Sequence, residues 1–398
     1  MQHHQLPLTQ AYKRFLVCTS SALGLLTLFA VPAMAEPAAS RMTVRANIKQ
    51  EATWSSNPLL AVNGGKALWG STTSPELVFK SITPKLQFNA NARIDENVFN
   101  QSSHDSTDII LSSNISKNNQ RWSVALRSGI NYDTTRTSEL TNYDLVQVDR
   151  HHLGLSIGPR VSFSPSPVDT ISLSGLVQAS RYEGDAFTNY NTYTVSPSYA
   201  RQFDPNNSGN VSVQIYRYQT TRNNASRKDS WSPSFGWQTT LTPRLSANAS
   251  VGAQASRQYI YGISTTSWTW NTVFSGGLSY KGEQDNLSFS ASRSNSSYGN
   301  GTDALQTSFS IMDSHKINPR VSLSFGAGYL TSEYEATVVG SMESMTNGNL
   351  GITYRLTDDF NLTANYKYRY ETLVNRSQSV QDHAVTIGLT FHPDGWTL

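Results

Sequence analysis

Two patterns in this chain are of the kind that do chemistry. The first is Gly154-Leu155-Ser156-Ile157-Gly158, which matches the G-x-S-x-G frame of a serine nucleophile. That frame works only on a sharp strand-to-helix turn that exposes the serine. Here it lies inside a segment that alternates apolar and polar residues, and no helical pattern follows. A membrane-embedded lipase would need a serine hydrogen-bonded to a histidine. His104, His151 and His383 are present, but nothing in the sequence pairs a serine with any of them. His151 and His152 are adjacent, so in a strand they point to opposite faces and cannot chelate a metal together. No phosphate loop or dinucleotide fingerprint occurs. The expectation is therefore no catalytic residues, no metal site and no cofactor.

The second pattern is a set of charges held in step. In "NLTANYKYRYE", Asn361 to Glu371, the residues Leu362, Ala364, Tyr366, Tyr368 and Tyr370 alternate with Lys367, Arg369 and Glu371. A strand sends alternate side chains to opposite faces, so one face is apolar and the other charged. The same assignment on other segments puts Arg45, Lys49, Glu51, Lys80, Arg93, Asp95, Arg127, Arg160, Arg355 and Asp382 on the polar face. With Lys367, Arg369 and Glu371 that makes nine basic groups against four acidic ones. Almost all lie early or late in the chain. Segments from about Ser172 to Ser324 offer Ser, Gln, Asn and Gly with almost no charge.

The elements that must carry these charges are long alternating strands. Leu86, Phe88, Ala90, Ala92 and Ile94 share one face, as do Leu245, Ala247, Ala249 and Val251, and His383, Val385, Ile387, Leu389 and Phe391. Short turn clusters recur about every 40 residues, the length of a long two-stranded hairpin: near Thr83, Asn119, Ser166, Asn206, Pro243, Gln284, Pro319 and Asp358. Seven intervals give fourteen strands. A pair at each end raises the count to eighteen, with sixteen as the fallback if the first pair stays out of the sheet. Several segments alternate for ten or more residues, which is what a tilted strand needs to cross a bilayer. Aromatics gather near the ends, with Trp122, Phe163, Phe203 and Tyr280 beside the turns and Trp231 and Trp268 beside the loops. That is the girdle pattern of a transmembrane barrel. The fold class is therefore all-β, a closed antiparallel transmembrane β-barrel with short periplasmic turns and longer outer loops. Closure makes the first and last strands neighbours, so the charged positions gather on one wall. Such a wall either attracts anionic solutes or braces the barrel with ion pairs.

Residues 1–35 read as a signal peptide: Lys13 and Arg14, then an apolar run ending in Ala33-Met34-Ala35. The barrel domain is then 36–398, in the outer membrane of a Gram-negative bacterium. The lone cysteine, Cys18, falls in the leader. Removing Lys13 and Arg14 takes Lys+Arg from 31 to 29 against 28 Asp+Glu, a net charge of +1, and no basic run supports nucleic-acid binding. A second set of arginines, Arg181, Arg217, Arg257 and Arg293, keeps step with the apolar face at the loop end. There they either meet lipopolysaccharide phosphates, which suit the guanidinium fork, or are simply solvated.

The chain resembles the outer-membrane β-barrel porin 2 type family. The resemblance rests on "NANARIDENVFN", Asn89 to Asn100, and on "SRYEGDAFTNYNTYTVSPSYARQF", Ser180 to Phe203. It implies a conduit associated with exopolysaccharide production and export, with a polysaccharide chain and periplasmic export components as partners. The final strand "HAVTIGLTF" looks like the signal read by the barrel-assembly machinery, but "HPDGWTL" follows it. The residues themselves imply a barrel with a polar lumen. The alternative to export is a general diffusion porin, whose lumen is narrowed by an inward loop; Trp54 to Ser74 is the candidate for that loop. A lipase or an adhesion barrel is the further alternative.

Overall fold

The computed structural model describes residues 41–62, 65–136, 149–185, 187–221, 226–259, 267–297, 303–334, 342–373 and 379–397. The expected leader, 1–35, lies outside them. In chain order the strands are β1 (Arg41–Ser55), β2 (Leu68–Ile82), β3 (Leu86–Phe99), β4 (Ser106–Asn118), β5 (Trp122–Thr134), β6 (His151–Phe163), β7 (Asp169–Tyr182), β8 (Tyr190–Gln202) and β9 (Asn207–Thr220). The second half continues with β10 (Arg227–Thr242), β11 (Leu245–Tyr259), β12 (Thr269–Lys281), β13 (Asp285–Ser297), β14 (Asp303–Asn318), β15 (Val321–Tyr334), β16 (Met342–Arg355), β17 (Phe360–Leu373) and β18 (Ser379–Phe391). A two-residue piece, β19 (Trp396–Thr397), ends the chain.

Each strand pairs antiparallel with the next, and β1 closes on β18 from Ile48↔Phe391 to Ser55↔Ala384. The result is a closed eighteen-stranded barrel that includes the first pair of strands. After Phe391 the chain bulges, because residues 392–395 face only 45–47. Pairing then resumes at Val44↔Trp396, so the extra "HPDGWTL" extends the seam instead of leaving the sheet. A bulge of this kind bends the strand without ending it.

The eight tight turns fall where the sequence places them, several of them secured by a short polar side chain. Asp204 Oδ1 accepts from the backbone N–H of Asn206 (2.8 Å) and Asn207 (2.9 Å). Asn318 Oδ1 accepts from Arg320 N (2.8 Å) and Val321 N (2.9 Å). These side chains hold the turn by mimicking a backbone acceptor.

The outer surface is the apolar face of nearly every strand. Ile157 is 54% exposed, Val251 57% and Leu350 55%. A continuous belt of this sort is far larger than soluble proteins expose. In a bilayer the same belt is buried in lipid, and closure satisfies the backbone polar groups that lipid cannot. The barrel belongs in the outer membrane.

Candidate functional site

The segment between β1 and β2 does not extend away from the barrel. It is tied down at Asp382 on β18. Asp382 Oδ1 accepts hydrogen bonds from Ser55 Oγ (2.7 Å), Asn57 N (2.9 Å) and Ser56 Oγ (3.2 Å). Its other oxygen accepts from Arg369 Nη2 at 3.0 Å. Ser56 also bridges to the β18 backbone: its N–H donates to His383 O, and its hydroxyl accepts from His383 N. Asn57 then folds the loop tightly, its amide bonding both N and O of Ala61. The turn puts Leu60 at φ 51, in the left-handed region. That conformation costs a residue with a Cβ about 1–2 kcal/mol. Full burial of a leucine side chain returns about 1.5–3 kcal/mol, so the strained turn is tolerable.

Leu60 is buried against the opposite wall. It shares a cluster with Tyr182, Phe187, Tyr190 and Tyr218 of the β7–β9 region and with Val380 of β18. β8 lies seven strands from β1 in an eighteen-stranded ring, so the loop crosses most of the lumen. Of the Trp54–Ser74 stretch read as an inward loop, residues 54–55 and 68–74 are instead paired wall strand, because the β1–β2 ladder runs up to Ser55↔Leu68. The inward part is the shorter connection between them, described at 56–62 and 65–67. Its receiving surface is an aromatic row: ring centroids of Tyr190 and Tyr218 are 5.2 Å apart, and those of His152 and Tyr182 are 4.8 Å apart. His152 Nδ1 lies 2.9 Å from Asp133 Oδ1, while its neighbour His151 stacks on Tyr132. The two adjacent histidines do point apart.

A second mass of side chains fills the outer end farther round. Lys228 of β10 meets Asp303 of β14 at 3.1 Å, with side chains only 2% and 1% exposed. Tyr216 OH donates to Asp303 at 2.8 Å. The nearly charge-free stretch expected between Ser172 and Ser324 therefore carries a buried ion pair. Lys228 escaped notice because alternation shows which face a residue takes but not which distant strand it meets.

Two cavities among the described residues lie along the β1–β3 wall. One, of about 530 Å³, is lined by Arg45, Lys49, Glu51, Glu76, Arg93 and Asp95 and by His392 to Asp394 of the terminal bulge. Its charges are largely paired: Lys49 with Glu51 at 2.6 Å, Arg93 with Asp95 at 3.1 Å, and Glu76 with the amides of Asn47 and Asn91. The other, of about 290 Å³, is lined by Ser55, Pro58, Arg136, Lys367, Arg369 and Asp382. Both are lined by Thr72, so they meet along the β1–β3 wall. Of the three cations lining the second cavity, Arg136 pairs with Asp149 at 3.4 Å and Arg369 with Asp382 at 3.0 Å, while no described carboxylate lies within ion-pair distance of Lys367.

Of the charges read from sequence, Arg45, Lys49, Arg93 and Asp95 come together in the larger cavity, and Lys367 and Arg369 in the smaller. Glu371 is buried on the same β17 face. Arg127 and Arg160 share the interior register of β5 and β6, away from both cavities. Arg355 sits at the turn end and pairs with Asp358. Glu76 was missed although it keeps step with Lys80, so period two alone could have found it. Arg136 lies just past β5 in an outer loop, where no periodicity applies.

The outward arginines are mostly engaged. Arg217 Nε donates to Asp229 (2.7 Å), Arg293 to Glu333 (2.7 Å) and Arg181 to Tyr190 O (2.8 Å). Arg257 lies over the rings of Tyr259 and Trp268. The G-x-S-x-G segment is mid-strand in β6, with no helix after it, so it is not a nucleophile elbow.

No family model and no curated protein matches the chain, so the porin 2 resemblance gains no support from those comparisons. Solved structures do match in overall shape. The outer membrane channel DcaP of Acinetobacter baumannii is 12% identical, covering 90% of this chain and 99% of that one, with a TM-score of 0.45. OpdO of Pseudomonas aeruginosa is 11% identical, covering 88% and 97%, with a TM-score of 0.49. Likeness at this level leaves the reading of the site to its own residues.

Proposed function

We propose that the protein is a passive channel for small hydrophilic solutes, narrowed by the described part of the β1–β2 loop and favouring anions at its tightest point. The loop's anchored crossing of the lumen is the observation that carries this reading. It leaves a small passage between the loop and the β17–β18 wall, where Arg136 and Arg369 each have a carboxylate partner and Lys367 adds a charge with none in pairing range among the described residues. Low-dielectric walls focus that field on a passing solute. The larger cavity beyond is nearly balanced, so its ion pairs act chiefly as bracing. Export of an exopolysaccharide would need a bore wide enough for a glycan chain. The loop, the tyrosine row and the Lys228–Asp303 pair instead occupy part of the interior, which favours the diffusion reading.

Reconstitution in planar bilayers tests this. Steady conductance with a reversal potential favouring anions supports it, together with liposome uptake of a small dicarboxylate faster than of a diamine of similar size. A barrel that is refolded and inserted but never conducts refutes it.

A further inference from the structure

The wall of the barrel is not zipped to its outer rim everywhere. β12 and β13 pair only from Lys281↔Asn286 to Phe274↔Arg293. Beyond that point both strands continue. β12 goes on pairing with β11 as far as Ser256↔Thr269, and β13 with β14 as far as Ser297↔Asp303. Among the described residues, Thr269–Val273 of β12 therefore has no partner on its β13 side. Ser294–Ser297 of β13 has none on its β12 side. Five residues of open edge span about 16 Å at a strand's rise.

The outer end of β13 and β14 has moved into the lumen instead. On β14 the positions in step with lipid-facing Phe309 and Ile311 are Asp303, Leu305 and Thr307. By parity Asp303 and Leu305 should look outward, yet they are 3% and 4% exposed. They are covered by the inner face of strands farther round. Asn295 Nδ2 donates to Ser230 Oγ of β10 at 3.1 Å. Asp303 takes Lys228 of β10, the hydroxyl of Tyr216 of β9 and that of Ser297. The two edges overlap like a scroll: the outer face of the hairpin lies on the inner face of β9–β10.

We propose that the β13–β14 end is a gate of the channel, with the Lys228–Asp303 pair as its latch. The proposal rests on the channel reading and adds its regulation. The vacant edges are in register to zip: continuing the ladder pairs Val273 with Ser294, Thr272 with Asn295, Asn271 with Ser296 and Trp270 with Ser297. Zipping restores ladder bonds that an open edge in or near lipid lacks. It also swings Asn295, Ser297 and Asp303 out of the lumen to the loop-end surface and frees the space they fill. The folded-in state keeps the buried ion pair and loses the ladder; the zipped state does the reverse. Each state thus has its own compensating interactions, as a two-state element requires.

Cysteine pairs separate the states. Adjacent cross-strand pairs alternate between the wide and close spacing, so Thr272→Cys/Asn295→Cys and Val273→Cys/Ser294→Cys are both made. A disulfide in either pair, seen as a gel shift of the folded barrel, is expected to raise mean conductance severalfold. Ser230→Cys/Asn295→Cys bridged by a short bis-maleimide is expected to lower it, and Lys228→Met to raise the open fraction severalfold. The gate is overturned if the wild type conducts, neither ladder pair cross-links, and Lys228→Met conducts like the wild type. If a ladder pair cross-links but no variant conducts, the hairpin has two states and the channel reading fails. If nothing conducts and nothing cross-links, both fail.

Discussion

Arg369 and Asp382 face each other across the β17–β18 ladder with Nη2 and Oδ2 3.0 Å apart, and both are buried. This pair joins the wall of the barrel to the loop inside it, because the other oxygen of Asp382 holds Ser55, Ser56 and Asn57. Asp382→Asn keeps the shape but removes the charge opposite Arg369. Removing one partner of a buried pair typically costs about 3–5 kcal/mol. The expected result is a lower unfolding midpoint and a wider, noisier channel as the loop detaches. Arg369→Met/Asp382→Leu should recover much of the stability but not the loop's anchorage. Heat-modifiability on gels reads the first effect and single-channel recording the second.

Lys367 stands on the same face without a described carboxylate in pairing range, in the smaller cavity. It therefore contributes to selectivity more than to bracing. Lys367→Glu should move the reversal potential toward cations and leave the unfolding free energy within about 0.5 kcal/mol, as for substitutions that break no ion pair. Lys49→Met is the contrast. Lys49 is already paired with Glu51, so its loss should change selectivity less. If the two variants shifted the reversal potential equally, the assignment of selectivity to the smaller cavity would be wrong.

Alternation makes the barrel legible in the residues alone. Leu362, Tyr366 and Tyr370 face out and Lys367 and Arg369 face in because period two is a local property of a strand. The turns were equally readable, since Asp204 and Asn318 make their contacts within three residues. What could not be read is everything that crosses the lumen. Leu60 gives no hint of Tyr218, 158 positions away, and Lys228 gives none of Asp303. The scrolled edge at β13 was hidden for the same reason. Ser294 to Ser297 are polar at every position, so their sequence reads the same whether or not β12 is beside them.

Asp204 lies in an exposed turn outside the spanning strands. Hydrogen bonds from Asn207 and from the Asn206 backbone hold its carboxyl below the usual range. A depressed folded value means the contribution to stability is present above the unfolded value and is lost as pH falls through the folded one. The turn should thus loosen only under acidic conditions below the ordinary carboxylate midpoint. Asp204→Ala should abolish that step without altering conductance at neutral pH. Hydrogen exchange at the Asn206 and Asn207 amides, measured across the acid range, would show it.

The two faces of β7 give the sharpest test of how the barrel sits in lipid. Val177 is 46% exposed on the outer face, in step with Leu173, while Ser174 faces inward and donates to Ser196 O. Arginine on the lipid face near the midplane costs about 2–4 kcal/mol, because its charge must leave water or deform the bilayer. Arginine on the inner face stays in contact with the wet interior. Val177→Arg should therefore lower the unfolding free energy in lipid vesicles by an amount in that range. Ser174→Arg should lower it by about 1 kcal/mol, the worth of its hydrogen bond, and should make the channel more anion-selective. Equal losses from the two variants would mean that both faces meet the same medium, and the belt of β7 could not be the lipid contact.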